Sequence, residues 1–488
     1  MIWALSVAPI LLGLLLYAWP RSADAGAKWF GVAVAAGAFV LTLLAANAPD
    51  ESVRWLQRPF TANFHAGLGG LSYWLVLLLT LSTACALAAT QIARQRDFAA
   101  QMLILMGAMI GLFIARDLLV FALFWDLMLI PVFLILVGWT PSKSSATAWR
   151  YLLYNLTGGL TLLLATAAYG MLEGSTDVIG TSLGHGATAI GPAWGEWIFA
   201  GLAFAFLVKT PVWPFHTWMP ATYADLPPAA AAVVSAVQSK GGLYGFLVVT
   251  APLLPDEMRA ALPLMFVLGL VGLVYGALVA LVQDDAKRVV AYSSLSHLGL
   301  ILLAVFSGNP VALGGAGVYI IAHGLFSAGL FIVLGQVERR EETRSIARLG
   351  GLGARNPRLA GSLTIVALAA LGLPGLCGFA GEILILTGLY QAGAVWVAGI
   401  ALVPVVLAAA YMLRLFQGIM QGPVVPDLPE RADASPLELL ALAPLVVAIV
   451  LLGIDPGPVA AARASATGSV AATRPGAPAS VSYLGTAP

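Results

Sequence analysis

Charge is the scarcest thing in this sequence. Asp, Glu, Lys and Arg make up only 10% of its 488 residues, against 60% hydrophobic, whereas a soluble domain carries about 25% charged residues. That balance excludes an ordinary soluble domain and points to a membrane. A net charge of +1 leaves no basic footprint for nucleic acid. Cysteine is nearly missing as well. Cys85 and Cys377 each stand in an apolar run, and two such residues make neither a disulfide framework nor a metal site. With five histidines and no CxxC pair, a redox metal centre in this chain is not expected. No GxGxxG opens a helix after a strand and no phosphate loop is present, so no nucleotide site is expected either.

Long apolar runs are what the sequence has instead. A bilayer core takes about 20 apolar residues as helix. Runs of that kind lie near 2–19, 29–48, 70–92, 99–115, 118–138, 151–171, 196–212, 229–250, 261–282, 289–307, 311–335, 360–388, 393–413 and 436–454. The expected fold is therefore an all-α integral membrane protein of about fourteen transmembrane helices. The first run has no Lys or Arg before it and no small-residue cleavage site before Pro20, so it reads as a span and not as a signal peptide. Arg116-Asp117 reads as a tight hairpin tip between two spans. Residues 463–488, rich in Ala, Ser, Gly, Thr and Pro, read as a disordered tail.

Two runs carry prolines at mid-membrane. One holds Pro211 and Pro214, the other Pro374 within Gly372-Leu373-Pro374-Gly375. Proline removes an amide donor and clashes with the carbonyl four residues back. The freed backbone is tolerable at that depth only against protein or water. The breaks lie 163 residues and five spans apart. An odd offset reverses direction across the membrane, which is the pattern of an inverted repeat with its site at the broken helices. The expected division is three N-terminal spans in 1–98, a first five-helix repeat in 99–250, a second in 261–416, and a last span at 436–454. With that count, sixteen Lys and Arg fall on one side and six on the other. The basic side faces the cytoplasm, which puts both termini outside. Lys209 and Lys240 belong to neither side.

Those two lysines, with Asp126 and Glu382, are charges inside apolar runs. Such a residue costs roughly 2.5–3.5 kcal/mol on insertion scales and is functional by default. Structural ion pairs are the plainer explanation, but apolar packing would hold helices together without the desolvation cost. A proton path explains them better. Burial disfavours a lysine's charge and a nearby carboxylate favours it, so a lysine between those effects changes state when its partner moves. Asp126 is the natural partner for Lys209, with charged atoms expected within roughly 4–6 Å or joined through water. His297 and His323 lie in consecutive spans, and imidazole passes protons through either ring nitrogen. Lys240, His297, His323 and Glu382 are expected along one polar axis through the midplane. His216 sits at a broken-helix end and reads as possible support.

These motifs resemble one family closely. Phe124-Trp125-Asp126 through Pro131, Val208-Lys209-Thr210-Pro211 through Pro220, Lys287-Arg288 through His297-Leu298-Gly299, Ala322-His323-Gly324 through Phe331, and Gly372 through Gly381-Glu382 look like the antiporter-like membrane subunits of proton-pumping NADH-quinone oxidoreductase, respiratory complex I. The match runs from about 100 to 420. A glutamate at the second broken helix, where other members carry lysine, resembles the subunit M type, counterpart of mitochondrial chain 4.

The resemblance implies a proton-translocating membrane-arm subunit in the bacterial inner (cytoplasmic) membrane, with no redox centre of its own. NADH, FMN, iron–sulfur clusters and quinone would be held by partner subunits, and two further antiporter-like subunits would stand beside it. Asp126 would modulate Lys209, Lys240 would receive the proton, His297 and His323 would carry it, and Glu382 would stand near the exit. Two departures stand out. The family's glutamate is Asp126 here, one methylene shorter. Its usual Asp-Ala-His after the first break reads Ala221-Thr222-Tyr223, with Asp225 the candidate to restore acidity. Multi-subunit sodium/proton antiporters and membrane-bound hydrogenase-type complexes share this pattern and are the alternative setting.

Overall fold

In the computed structural model of the chain, residues 1–20, 24–140, 145–177, 190–423 and 432–462 are described. The tail expected at 463–488 lies outside the described residues. Each apolar run of the sequence overlaps a helix. Among the described residues, eleven helices are long and apolar enough to cross a membrane, by length and composition. The helix Pro310–Glu341 is the axis of the molecule, buried along its whole apolar window. Around it pack Ala286–Ser307, Pro228–Leu253 and Cys377–Gln391. Asp24–Leu44, Val395–Met420 and Pro436–Ile454 stand at the periphery, two thirds of each apolar window open. Apolar exposure of that kind is normal for faces that meet lipid or a neighbouring chain.

The all-α expectation needs one correction. The connection after Asp24–Leu44 is an antiparallel hairpin of two strands, Glu51–Leu56 and Ala62–Ala66. Its short run of mixed residues was too brief to separate from a loop. Hydrogen bonds tie it to the neighbouring connections: the Arg116 amide donates to the His65 carbonyl at 2.8 Å, and the Thr176 amide to the Thr61 carbonyl at 2.9 Å. Asp117 then caps the next helix, accepting from the Leu119 amide at 2.8 Å, so 116–117 is a sharp corner braced from outside.

Both proline-bearing runs are interrupted. Pro192–Lys209 stops at Thr210, and a short helix, Met219–Asp225, follows. Pro357–Ala370 stops at Leu371, and Cys377–Gln391 resumes. Gly372 and Gly375 have φ of +77° and +92°, a region a side chain enters only at a cost. The helix Pro228–Leu253 is irregular in a way that sequence did not indicate. Two π-helical stretches, Val234–Gln238 and Phe246–Thr250, flank Lys240–Gly245. A π stretch widens the turn by one residue and is frequent at functional sites. Here it re-aims the face that carries Lys240.

Candidate functional site

The Lys240 side chain is completely buried. An ammonium has three donors and no acceptor, and each of the three is used. Nζ donates to the Ser235 carbonyl at 2.5 Å and to Ser239 Oγ at 3.3 Å, and it lies 2.6 Å from His323 Nδ1. The first acceptor is a carbonyl of the π stretch, where the i to i+4 pattern is interrupted. The His323 ring sits 5.5 Å from the His297 ring, centroid to centroid. His297 Nδ1 lies 2.5 Å from the Tyr319 hydroxyl, which also donates to Glu382 Oε1 at 2.6 Å. Lys240, His323, His297, Tyr319 and Glu382 thus form a polar row among apolar helices, hydrogen-bonded at both ends and joined in the middle by the ring contact of the two histidines; among the described residues His323 Nε2 has no hydrogen-bond partner. The spatial order of the two histidines is the reverse of their order in the chain.

The break in the second proline run shapes the Glu382 end. A Cβ on Gly372 would overlap Glu382 Oε2, so the bare glycine leaves the carboxylate its place. Gly381 does the same for the neighbouring helix. A Cβ there would lie 2.6 Å from Tyr319 Cβ. Small residues let membrane helices approach closely, and this approach brings Tyr319 and Glu382 into contact.

The first broken helix is arranged differently. Lys209 is its last helical residue and is buried. Its ammonium lies 4.8 Å from the Trp125 ring centroid, within cation–π range. Asp126 occupies the turn before Pro131, whose missing N–H leaves the Leu127 carbonyl free and interrupts the helix at Met128. The Asp126 carboxylate packs on Gly159, where a Cβ would overlap Oδ1. Asp126 and Lys209 interact through space. They do not close to an ion pair within 4.0 Å, and among the described residues Asp126 Oδ1 and Lys209 Nζ have no hydrogen-bond partner. The Lys209 stem passes beside Gly241, the residue after Lys240: a Cβ there would lie 3.9 Å from Lys209 Cγ. Gln238, two residues before Lys240, donates to the Tyr151 hydroxyl at 2.6 Å. Tyr223 is buried between Trp218 and Phe331. His216 stacks edge-on to Tyr275 at 5.3 Å. Asp225 accepts from Thr147 Oγ1 at 2.7 Å.

A cavity of about 230 Å³ opens beside Asp225, its lining including Lys287, Gln336, Glu338, Arg339 and Arg344. Lys287 is buried and pairs with Glu338 at 2.7 Å. Arg344 and Lys287 also donate to the Ala224 carbonyl at the end of the short helix. Pro228 and Gly335 line the cavity, and Ser235 and Ser327 lie further along those two helices, Oγ to Oγ at 2.9 Å. At 1.5 Å per residue, Pro228 to Ser235 spans about 10 Å. Sequence reasoning missed Tyr319, Tyr411, the two serines and the pair of buried Lys287 with half-buried Glu338. One signal was available: Tyr319 and His323 are four residues apart and so share a helix face. Lys287 was counted with the loops because it starts a helix. Arg340 and Glu438, paired at 2.7 Å, are likewise buried charges at helix ends.

The model of the family "NADH:quinone oxidoreductase/Mrp antiporter, TM" matches residues 115–408, which contain both broken helices and every residue of the polar row. NADH-quinone oxidoreductase subunit M of Rhodobacter capsulatus is 35% identical over 453 residues, 89% of this chain and 88% of that protein. Among solved structures, a chain of respiratory complex I from Thermus thermophilus superposes with a TM-score of 0.86 at 30% identity, covering 96% of this chain and 100% of that one. A chain of the Mrp complex from Dietzia sp. DQ12-45-1b reaches the same TM-score at 20% identity, covering 97% and 98%, a likeness of fold. The chain therefore belongs to the NADH:quinone oxidoreductase/Mrp antiporter transmembrane family, among the subunit M proteins of NADH-quinone oxidoreductase.

Proposed function

We propose that this chain translocates protons as a membrane-arm subunit of NADH-quinone oxidoreductase, along the row Lys240, His323, His297 and Glu382. The observation that carries the reading is the unbroken contact from the Lys240 ammonium to His323 and from His297 through Tyr319 to Glu382. Isolated in apolar helices, each group would be a large desolvation cost. In a row they supply donors and acceptors for one another.

The remaining parts follow. Fourteen spans form three N-terminal helices, two inverted repeats in 99–250 and 261–416, and a last span, with both termini outside. The basic side and its cavity face the cytoplasm and supply protons through Ser327 and Ser235 to Lys240. Asp126 and Lys209 set the charge state of Lys240. A positive Lys209 held near Asp126 leaves Lys240 free to take a proton, and a Lys209 released from Asp126 drives that proton on. Glu382 stands toward the exit. His216 and Asp225 support the first break. Electrons stay in partner subunits, which hold NADH, FMN, iron–sulfur clusters and quinone. Two further antiporter-like subunits adjoin this one. Moving one charge against 100 mV takes about 2.3 kcal/mol, which the redox reaction of the partners supplies.

The test is Lys240→Met in the assembled complex. Loss of quinone-linked proton uptake with NADH oxidation by an artificial acceptor intact supports the reading. Unchanged uptake sinks it.

A further inference from the structure

The Tyr319 hydroxyl has a geometry that packing alone does not require. It is fully buried and touches two proton-active groups, His297 Nδ1 at 2.5 Å and Glu382 Oε1 at 2.6 Å. A phenol has one proton to donate and lone pairs to accept with. It therefore cannot donate to both neighbours at once. Two arrangements satisfy all three groups. In one, His297 Nδ1–H donates to the phenol oxygen and the phenol donates to an ionised Glu382. In the other, a protonated Glu382 donates to the phenol oxygen and the phenol donates to the bare Nδ1 of His297.

We propose that Tyr319 is a proton-relay residue, switching between these two arrangements to carry protons from His297 to Glu382. The proposal rests on the proton-path reading and adds the group that closes its last step. The balance is simple. With His297 protonated at both ring nitrogens, the Nδ1–H bond breaks as a new bond forms to the Tyr319 oxygen, and the original Tyr319 O–H bond breaks as one forms to Glu382 Oε1, leaving a neutral imidazole that keeps its Nε2–H. The phenol is regenerated, His297 has lost one proton, and Glu382 has gained one. Once Glu382 has released its proton and His297 has taken a new one from the row, rotation of the phenol O–H back toward the carboxylate resets the relay. No oxidant or further reactant enters.

The surroundings are built for this. Close contact with Gly381 fixes the start of the Tyr319 side chain, and the ring packs edge-on to His297. The other nitrogen of His297 is addressed by a second phenol: Tyr411 lies 3.4 Å from Nε2 and donates to Ser293 Oγ at 3.1 Å. One phenol thus orients the imidazole while the other joins it to the carboxylate. Tyr411 has no contact with Glu382 of that kind, and Tyr319 alone bridges the two groups among the described residues.

The experiment compares Tyr319→Phe, Tyr411→Phe and Glu382→Gln in the assembled complex in sealed vesicles, together with fluorotyrosine at 319. NADH-to-quinone rate, proton uptake, NADH oxidation by an artificial acceptor, and the ratio of coupled rates in water and deuterium oxide are read from each. The expected result is that Tyr319→Phe lowers coupled turnover by about 100-fold, the low end for a positioned acid–base group, with the artificial-acceptor rate unchanged. Fluorotyrosine, which keeps the hydroxyl, restores turnover with a larger isotope ratio. Tyr411→Phe falls far less. Full turnover in Tyr319→Phe beside an impaired Glu382→Gln overturns the relay and leaves the path standing. Full turnover in both overturns the path itself. A fall in Tyr319→Phe that fluorotyrosine restores with no change in isotope ratio marks a structural hydroxyl and also overturns the relay. Fluorotyrosine keeps the packing intact, so the isotope ratio decides even where the Phe variant does not assemble.

Discussion

Gly372 and Glu382 occupy adjoining space: a side-chain carbon on the glycine would overlap Oε2 of the glutamate. Gly372 also has φ of +77°, so Gly372→Ala carries a backbone penalty of about 1–2 kcal/mol besides the displaced carboxylate. It is expected to lower proton uptake nearly as far as Glu382→Gln does, in complex that still assembles. Parallel assays of uptake and subunit content check this, and normal uptake in Gly372→Ala contradicts the geometry.

Asp126 packs on Gly159 just as closely. Asp126→Ala is expected to lower pumping while leaving assembly intact, and Asp126→Glu to be tolerated. Gly159→Ala pushes the carboxylate aside and should act like Asp126→Ala. If Gly159→Ala pumps normally while Asp126→Ala does not, the carboxylate does not work from the place it occupies here.

Lys240 uses its three donors on one carbonyl, one hydroxyl and one imidazole. A planar guanidinium cannot reproduce that set. Lys240→Arg is expected to lose most proton uptake, and His323→Ala to lose it with Lys240 in place. Retention of uptake in Lys240→Arg, measured in the same vesicles, argues for bare positive charge in place of directed donation.

Outside the membrane segments, the hairpin is tethered by His65 and Asp177, 2.6 Å apart. The hydrogen bond to Asp177 raises the His65 pKa above its usual value, despite burial, with further help from the Asp177 and Asp50 charges and opposition from Arg116. Burial pushes Asp177 up, but its bonds to His65 and Asn63 outweigh this and hold it below the usual carboxylate value. The His65 contribution is fully present below the ordinary histidine pKa and is lost as pH rises through the raised one. The Asp177 contribution is present above the ordinary aspartate pKa and is lost as pH falls through the lowered one. Hydrogen exchange in residues 51–66 should therefore speed up on passing above the raised histidine pKa. The step should vanish in His65→Ala; a step that persists there belongs to another group.

Much of this was legible in the sequence because the membrane allows few solutions. An apolar run of the right length is a helix, and the prolines at 211 and 374 mark the two interruptions. The buried charges stood out because their cost is large. What escaped notice was what costs little or looks ordinary. Tyr319 in an apolar run looks like packing until His323 and Glu382 are seen around it. The π stretches beside Lys240 leave no mark, since one extra residue per turn changes no composition. Lys287 and Glu438 sit at helix ends, where charge is expected, and only the fold shows that they are buried. The opposite signs of Asp126 and Lys209 marked them as partners, but the place of Lys209 over the Trp125 ring has no signature in the sequence.

Glu382 carries the central claim, because it ends the polar row in a chain with no redox motif. The most direct measurement is NADH-to-quinone rate and proton uptake in the same vesicles for assembled Glu382→Gln complex, with an artificial acceptor as the internal standard. Glutamine keeps the size and the hydrogen bond from Tyr319 but cannot carry the proton. The account predicts that quinone-linked rate and uptake fall together while the artificial-acceptor rate is unchanged. Full quinone turnover with full proton uptake would contradict it.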